Sequence, residues 1–282
     1  GAAVVVNDLG TTSDGSGTDR AVADDVVAEI EALGGKAVAS YDAVDDPAGG
    51  AAIVDRALEQ FGRVDVVVSN AGIFGTVDFD ELTPEQWQRM RSVHLDGAFY
   101  LSQPAYRAMK RQGYGRFVFI SSSAGVFGQP ASAHYAAAKA GVVGLANVIA
   151  IEGEAHGILA NCVLPFGFSR MVTETVGLDA ETAKEGSEFF RAIAPELVVP
   201  AVVYLASRDC EVTHRIYSAL AGRFARVFAG LADGWTAERD PVPTADDFAA
   251  HFAQISATDP YIVPGSIFEE IGQLVERQGL SS

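Results

Sequence analysis

The feature that most constrains the fold of this chain is an alternation of short β-branched runs with longer segments of helical period. Val22, Val26 and Ile30, for example, recur every four positions, which is the spacing of one helix face. Strands linked by helices in this way form a parallel sheet with right-handed crossovers and with helices on both faces. We therefore expect a doubly wound α/β fold, with buried strands at Val4–Val6, 36–41, 64–69, 116–121 and 159–164.

Length and charge limit the partners of the chain. Its 282 residues suffice for one large domain with a buried core. Its net charge of −17 disfavours nucleic acid and anionic lipid as partners, because both are negatively charged. No signal peptide opens the sequence, and no apolar run looks long enough to cross a bilayer. We expect a cytoplasmic protein that binds no membrane.

Cysteine and histidine spacing predicts neither disulfides nor a metal site. Cys162 and Cys210 are far apart and fit no CxxC pattern, so that two reduced buried thiols are expected. The five histidines show no paired ligand spacing. The regular alternation of strands and helices extends to about residue 220. We expect one domain at 1–220 and an extension at 221–282, with two more helices, packed on or beside it.

Tyr135 and Lys139 are the first candidates for catalysis. They stand four positions apart in a helical segment, and residues at that spacing share one helix face. The phenol and the ammonium are therefore expected to project into one site. A nearby cation favours the phenolate, so that such a tyrosine can act as a base near neutral pH. A Tyr–Lys pair is common in ordinary helices, and its context decides whether it is functional.

Polar residues at two strand ends supply that context. Ser121-Ser122-Ser123 and Asn70-Ala71-Gly72 each follow a predicted strand. Ligands of parallel α/β sheets bind at the carboxyl ends of the strands. Together with the Tyr–Lys pair, this order and spacing resembles the short-chain dehydrogenase/reductase superfamily, over about residues 1 to 220.

The resemblance implies a Rossmann-type dinucleotide fold and a role for each matching residue. Tyr135 would be the catalytic acid/base, and Lys139 would lower its pKa and hold the nicotinamide ribose. Ser122 would orient the substrate oxygen. Many members have Asn where His94 stands, and His94 would relay a proton there; a structural histidine bound to a backbone carbonyl is an equal alternative. Cofactor contacts are implied for Asp42, Asn70, Ala71, Gly72, Tyr135, Lys139, Pro165 and Gly167.

Asp8 indicates which nucleotide is bound. It closes the first strand of the sequence, where a dinucleotide fold carries the residue that contacts the adenosine ribose. A carboxylate there accepts hydrogen bonds from both ribose hydroxyls and repels a 2′-phosphate. The following loop, Leu9 to Asp19, contains no Lys or Arg. The sequence thus predicts NAD rather than NADP.

A closer resemblance is to the (3R)-hydroxyacyl-CoA dehydrogenase units of multifunctional β-oxidation enzymes. The tail after the last strand fits that group as well. The resemblance implies a role in lipid metabolism, and we also expect a homodimer or a larger homo-oligomer. Its motifs are Val4-Val5-Val6-Asn7-Asp8-Leu9-Gly10, Val93-His94-Leu95, Gly144-Leu145-Ala146-Asn147, Ile151-Glu152-Gly153 and Ser169-Arg170-Met171.

One expected element is missing from the sequence. Dinucleotide folds place a Gly-rich loop between a first strand and a first helix, where backbone N–H groups receive the pyrophosphate. Gly10 to Gly17 bears glycines, but it follows Asp8 and lacks GxGxxG spacing. We expect that a strand, loop and helix, on the order of 30 residues, precede the Gly1-Ala2-Ala3 start in the complete protein. The strands at Ala3 to Asp8 and Val64 to Ser69 would lack their shared neighbour.

The sequence therefore predicts an NAD-dependent oxidoreductase that interconverts a secondary alcohol and a ketone. The expected substrate is of the 3-hydroxyacyl-CoA type, and a steroid or other bulky alcohol is the alternative. A non-catalytic subunit paired with an active partner is the alternative from another class. The missing phosphate loop supports that alternative, whereas intact Ser122, Tyr135 and Lys139 speak against it.

Overall fold

A computed structural model describes residues 1–167, 193–238 and 240–277 of the chain. The chain divides into two compact units, Gly1–Arg226 and Val227–Ser282. The division therefore falls after Arg226 rather than after residue 220, because one more strand of the sheet follows that expected limit. The motif Ser169-Arg170-Met171 lies outside the described residues.

The strands of the first unit form two sheets. In the smaller sheet β1 pairs with β2, and in the larger sheet β3 to β7 follow one another in chain order. The β1–β2 pair and the pairs from β3 to β6 are all parallel, which confirms the predicted α/β class. The strands are β1 (Ala3–Asn7), β2 (Lys36–Ser40), β3 (Val66–Ser69), β4 (Gly115–Ile120), β5 (Ile158–Phe166), β6 (Arg215–Leu220) and β7 (Arg223–Val227).

An open position separates β1 from β3. These strands share no hydrogen bonds, although both line one cleft of about 460 Å³. Within the described ranges no strand lies between them. Val66 and Val68 of β3 are 38% and 42% exposed, although strands of a parallel sheet are normally buried on both faces. Among the described residues, β1 and β3 thus belong to separate sheets, and the prediction that they lack a common neighbour stays a prediction.

Helices connect the strands and cover the sheets. A capping box begins the helix Pro84–Arg91: the hydroxyl of Thr83 accepts from the N–H of Gln86, and the Gln86 side chain accepts from the N–H of Thr83. A π-helical turn, Ser92–Asp96, joins α3 to α4. The helices of the first unit are α1 (Ala21–Ala32), α2 (Pro47–Phe61), α3 (Pro84–Arg91), α4 (Gly97–Gln112), α5 (Ala124–Phe127), α6 (Ala133–Gly153) and α7 (Val199–Ala206).

The second unit is small and contains both helices and strands. Where two helices were expected, its described part has three, two of them short. It also has a two-stranded antiparallel ribbon. Its elements are β8 (Leu231–Ala232), α8 (Ala245–Ala250), α9 (Phe252–Ile255), β9 (Tyr261–Ile262) and α10 (Ile267–Arg277).

The helix α6 corrects one expectation about membranes. Together with the turn that ends at His156, it is long and apolar enough to cross a membrane by length and composition. The expectation that no stretch reaches that length is therefore wrong. In this fold Val142 and Ala146 of α6 are buried in one cluster with Phe117 and Phe119 of β4. Core packing accounts for the apolar character of that face.

Candidate active site

The carboxyl end of β4 and the first turns of α6 bring three predicted catalytic residues together. Ser122 follows β4 by two residues, and Tyr135 and Lys139 lie on α6. The Ser122 hydroxyl lies near enough to the Tyr135 phenol to affect its pKa. The Nζ of Lys139 lies 5.7 Å from the centroid of the Tyr135 ring. The three side chains thus occupy one site, and the roles given to them stay predictions.

The protonation of Tyr135 differs from what the sequence suggested. Burial raises the pKa of Tyr135 above its ordinary value, and the weaker effect of the Ser122 hydroxyl lowers it. The predicted lowering of this pKa by Lys139 is not found in this geometry. The Lys139 ammonium instead donates a hydrogen bond to the carbonyl oxygen of Ile120 at 2.7 Å. The phenol is therefore protonated at neutral pH.

Lys139 has two neighbours that sequence reasoning missed. Burial lowers the pKa of Lys139 to about 8, so that most of it still carries a charge at pH 7. Burial raises the pKa of the nearby Cys162 thiol to about 12, while the charge of Lys139 opposes this. The hydroxyl of Ser121 donates to the carbonyl oxygen of Lys139 at 2.8 Å. The sequence carries two weak signals for these contacts with Lys139. Ser121 stands beside Ser122, and Cys162 lies on the strand that follows β4 in the sheet.

His94 lies behind Tyr135 in the π-helical turn. Its Nε2 is 2.7 Å from the carbonyl oxygen and 3.2 Å from the amide nitrogen of Ile73. Its ring meets the Tyr135 ring edge-on, with centroids 5.2 Å apart. Burial first, and then the charge of Lys139, lower the pKa of His94 to about 3, so the ring is neutral. These contacts favour the structural alternative, and the proton relay stays a prediction.

Gly72 is required by the position of His94. A Cβ at Gly72 would collide with the Cε1 atom of the His94 ring. Asn70, Ala71 and Gly72 are all exposed and line the cleft between β1 and β3. The glycine of this motif thus lets the chain pass close to the buried ring while the motif stays open to the cleft.

The same cleft holds the two carboxylates predicted to contact the cofactor. Asp8 follows β1, and its Oδ1 accepts the N–H of Gly10 at 2.7 Å. Asp42 follows β2, and its Oδ2 accepts the Ser40 hydroxyl at 2.7 Å. Both residues line the cleft. Pro165 and Gly167, at the end of β5, are not among its lining residues.

These residues fit the two ends of a dinucleotide. The Asp8 carboxylate can accept hydrogen bonds from ribose hydroxyls, and the exposed Asn70-Ala71-Gly72 segment lines the same cleft. The described residues supply no Gly-rich loop at a helix N-terminus for the pyrophosphate. In the same part of the chain, no group of three or more His, Cys, Asp or Glu could hold a metal ion.

Comparison with known proteins assigns the family. A family model described as short chain dehydrogenase matches residues 16–180, which is more than half of the chain. The chain belongs to the short-chain dehydrogenase family. It is therefore an oxidoreductase, and its family uses a nicotinamide nucleotide.

Individual relatives agree with this assignment. A short-chain type dehydrogenase/reductase of Mycobacterium tuberculosis is 40% identical over 256 residues, which cover 91% of this chain and 86% of that protein. Mouse peroxisomal multifunctional enzyme type 2 is 42% identical over 222 residues, 79% of this chain and 29% of the mouse protein. The resemblance to dehydrogenase units of multifunctional enzymes is thus confirmed.

Solved structures share the fold. The full-length peroxisomal multifunctional enzyme type 2 of Drosophila melanogaster superposes with a TM-score of 0.75 at 30% identity, over 90% of this chain and 43% of that one. A short chain dehydrogenase from Mycobacterium avium gives a TM-score of 0.75 at 30% identity, over 94% of this chain and 90% of that one. The 282-residue chain of this protein spans less than half the length of the multifunctional relatives from mouse and Drosophila melanogaster.

Proposed function

We propose that this short-chain dehydrogenase uses NAD to interconvert a secondary alcohol and a ketone on a 3-hydroxyacyl thioester. The observation that carries the proposal is the grouping of Ser122, Tyr135 and Lys139. Tyr135 packs against the cluster that contains Ile73, and Ile73 lines the same cleft as Asp8. Bound NAD would accept the hydride of the carbinol carbon. The acyl thioester is favoured because the chain is similar to multifunctional enzymes and because its motif Val93-His94-Leu95 resembles their (3R)-hydroxyacyl-CoA dehydrogenase units.

The protein's own residues would move the proton and orient the substrate. In the oxidation direction the Tyr135 phenolate takes the hydroxyl proton, and in the reduction direction the phenol returns it to the ketone oxygen. Ser122, whose hydroxyl lies near the Tyr135 phenol, would donate to the same substrate oxygen. Lys139, whose Nζ lies 5.7 Å from the ring centroid, would hold the nicotinamide ribose.

A substrate panel tests the proposal. Turnover is followed by NADH fluorescence in the 282-residue chain. It is also followed in a version with a strand, a Gly-rich loop and a helix added before Gly1, named here the extended chain. The panel contains (3R)- and (3S)-hydroxyacyl-CoA thioesters and steroid alcohols, each with NAD and with NADP. We expect turnover of a hydroxyacyl-CoA with NAD. Turnover of steroids alone would contradict the substrate, and nucleotide binding without any turnover would support the non-catalytic alternative.

Asp8 is expected to determine the nucleotide preference. In the extended chain, Asp8→Ala combined with Thr11→Arg should lower the ratio of kcat/KM for NAD to that for NADP by about tenfold or more, because hydrogen bonds to a charged group contribute about 1.5–3 kcal/mol. Asp25→Ala removes an equal charge from an exposed position on α1 and should leave the ratio unchanged. If the unmodified enzyme already prefers NADP, this interpretation of Asp8 is wrong.

A further inference from the structure

The loop that follows Asp8 is a closed and internally bonded structure. At its neck, the N–H of Asp19 donates to the carbonyl oxygen of Leu9 at 3.2 Å. Gly10 has a φ of +66°, and a Cβ there would collide with the backbone of Asp19, so only glycine fits this neck. The loop therefore leaves and re-enters the fold at nearly the same point.

The tip of this loop, residues 12–16, holds its own shape. The N–H of Gly15 donates to the carbonyl oxygen of Thr12 at 2.9 Å. The Asp14 carboxylate accepts the N–H of Ser16 at 2.9 Å and the Ser16 hydroxyl at 2.8 Å. A hydrogen bond from the Thr12 hydroxyl first, and then those from Ser16, lower the pKa of Asp14 to about 2. The tip can therefore dock as a preformed unit.

Two contacts tie this tip to the other side of the cleft. The N–H of Phe74 donates to the carbonyl oxygen of Ser13 at 3.0 Å. The Nη2 of Arg89, on α3, donates to the carbonyl oxygen of Gly15 at 2.9 Å. The Nη1 of the same guanidinium donates to the Asp45 carboxylate at 2.8 Å. The planar guanidinium thus orients toward the tip while Asp45 holds it from behind.

The docked tip connects the adenosine end of the cleft with Tyr135. Thr12, Ser13 and Arg89 line the same cleft as Asp8. The Phe74 ring, whose backbone holds the tip, meets the Tyr135 ring edge-on with centroids 5.1 Å apart. A displacement of the tip would therefore disturb both the cleft wall and the support of Tyr135.

We propose that Arg89 is a positioning residue that clasps the loop tip over the cofactor cleft. Its guanidinium contacts the tip through Gly15 and the wall of the cleft through Asp45, so that one side chain sets the distance between them. The part of this proposal that concerns the cofactor rests on the proposed function. The clasp itself is a property of the protein alone and is tested without nucleotide.

Amide hydrogen exchange of the 282-residue chain is the first test. In Arg89→Ala, we expect the amide of Phe74 to exchange about tenfold faster. The reason is that the loss of one hydrogen bond to a charged group shifts the equilibrium between the protected and the open amide by about tenfold or more. The control is Arg91→Ala, which removes the same side chain two residues further on; Arg91 pairs with Asp96 at 3.2 Å and does not hold the tip. Equal protection of Phe74 in Arg89→Ala and in the unmodified chain would overturn the clasp.

The second test measures what the clasp does for the cofactor. In the extended chain, Arg89→Ala should raise KM for NAD about fivefold, somewhat less than the loss of a whole charge-assisted hydrogen bond, because water replaces part of the contact. The change in kcat should be smaller, and Arg89→Lys should recover part of the loss. Faster exchange at Phe74 with an unchanged KM would overturn the link to the cofactor. If no substrate is turned over, the proposed function fails, and the exchange result still decides on the clasp.

Discussion

The extended chain is expected to bind NAD at least about a hundredfold more tightly than the 282-residue chain. The added strand would occupy the open position between β1 and β3, which now share a cleft but no hydrogen bonds. The added Gly-rich loop would direct backbone N–H groups at the pyrophosphate. Two such hydrogen bonds to a charged group, each of about 1.5–3 kcal/mol, account for the factor of a hundred.

Calorimetric titration of both chains with NAD measures this effect. A matched control keeps the added strand and helix but replaces the loop glycines with alanine. It should recover thermal stability and remain soluble, because the strand edges are paired, yet bind NAD weakly, because a Cβ keeps the backbone away from the phosphates. Equal micromolar affinity for NAD in the 282-residue chain and in the extended chain would contradict this prediction. It would show that the fold binds the nucleotide while the position between β1 and β3 is open.

Tyr135→Phe in the extended chain is expected to lower turnover by about 10²- to 10⁴-fold, which is the usual contribution of general acid–base catalysis. The substituted ring keeps its edge-on contacts with Phe74 and His94, so that the affinity for NAD should be nearly unchanged. Only the hydroxyl that transfers the proton is lost.

The control for this substitution is Tyr114→Phe. Tyr114 lies just before the first residue of β4, whereas Ser122 follows the last residue of that strand. The Tyr114 ring stacks on the guanidinium of Arg116. Removal of its hydroxyl should leave steady-state turnover and NAD titrations as they are in the parent chain. Near-normal turnover of Tyr135→Phe would show that another group transfers the proton.

Much of the fold could be predicted because its signals are local. Runs such as Val4-Val5-Val6 indicate buried strands, and Thr83 with Gln86 indicates a helix start, from side chains only a few positions apart. The domain limit could not be predicted in the same way. The strand Arg223–Val227 has two arginines among three apolar residues and carries no signal that it joins the sheet of the first unit. Likewise, the composition of α6 alone does not distinguish a core helix from a membrane span.

The sequence by itself determined the α/β class, the family and the pairing of Tyr135 with Lys139, because periodicity and an i, i+4 spacing act within one element. Only the tertiary structure decided the electrostatics of the site. Lys139 points to a carbonyl 19 residues away, and His94 to one 21 residues away. Burial and charge depend on such distant contacts, and a linear pattern does not encode their distances or directions.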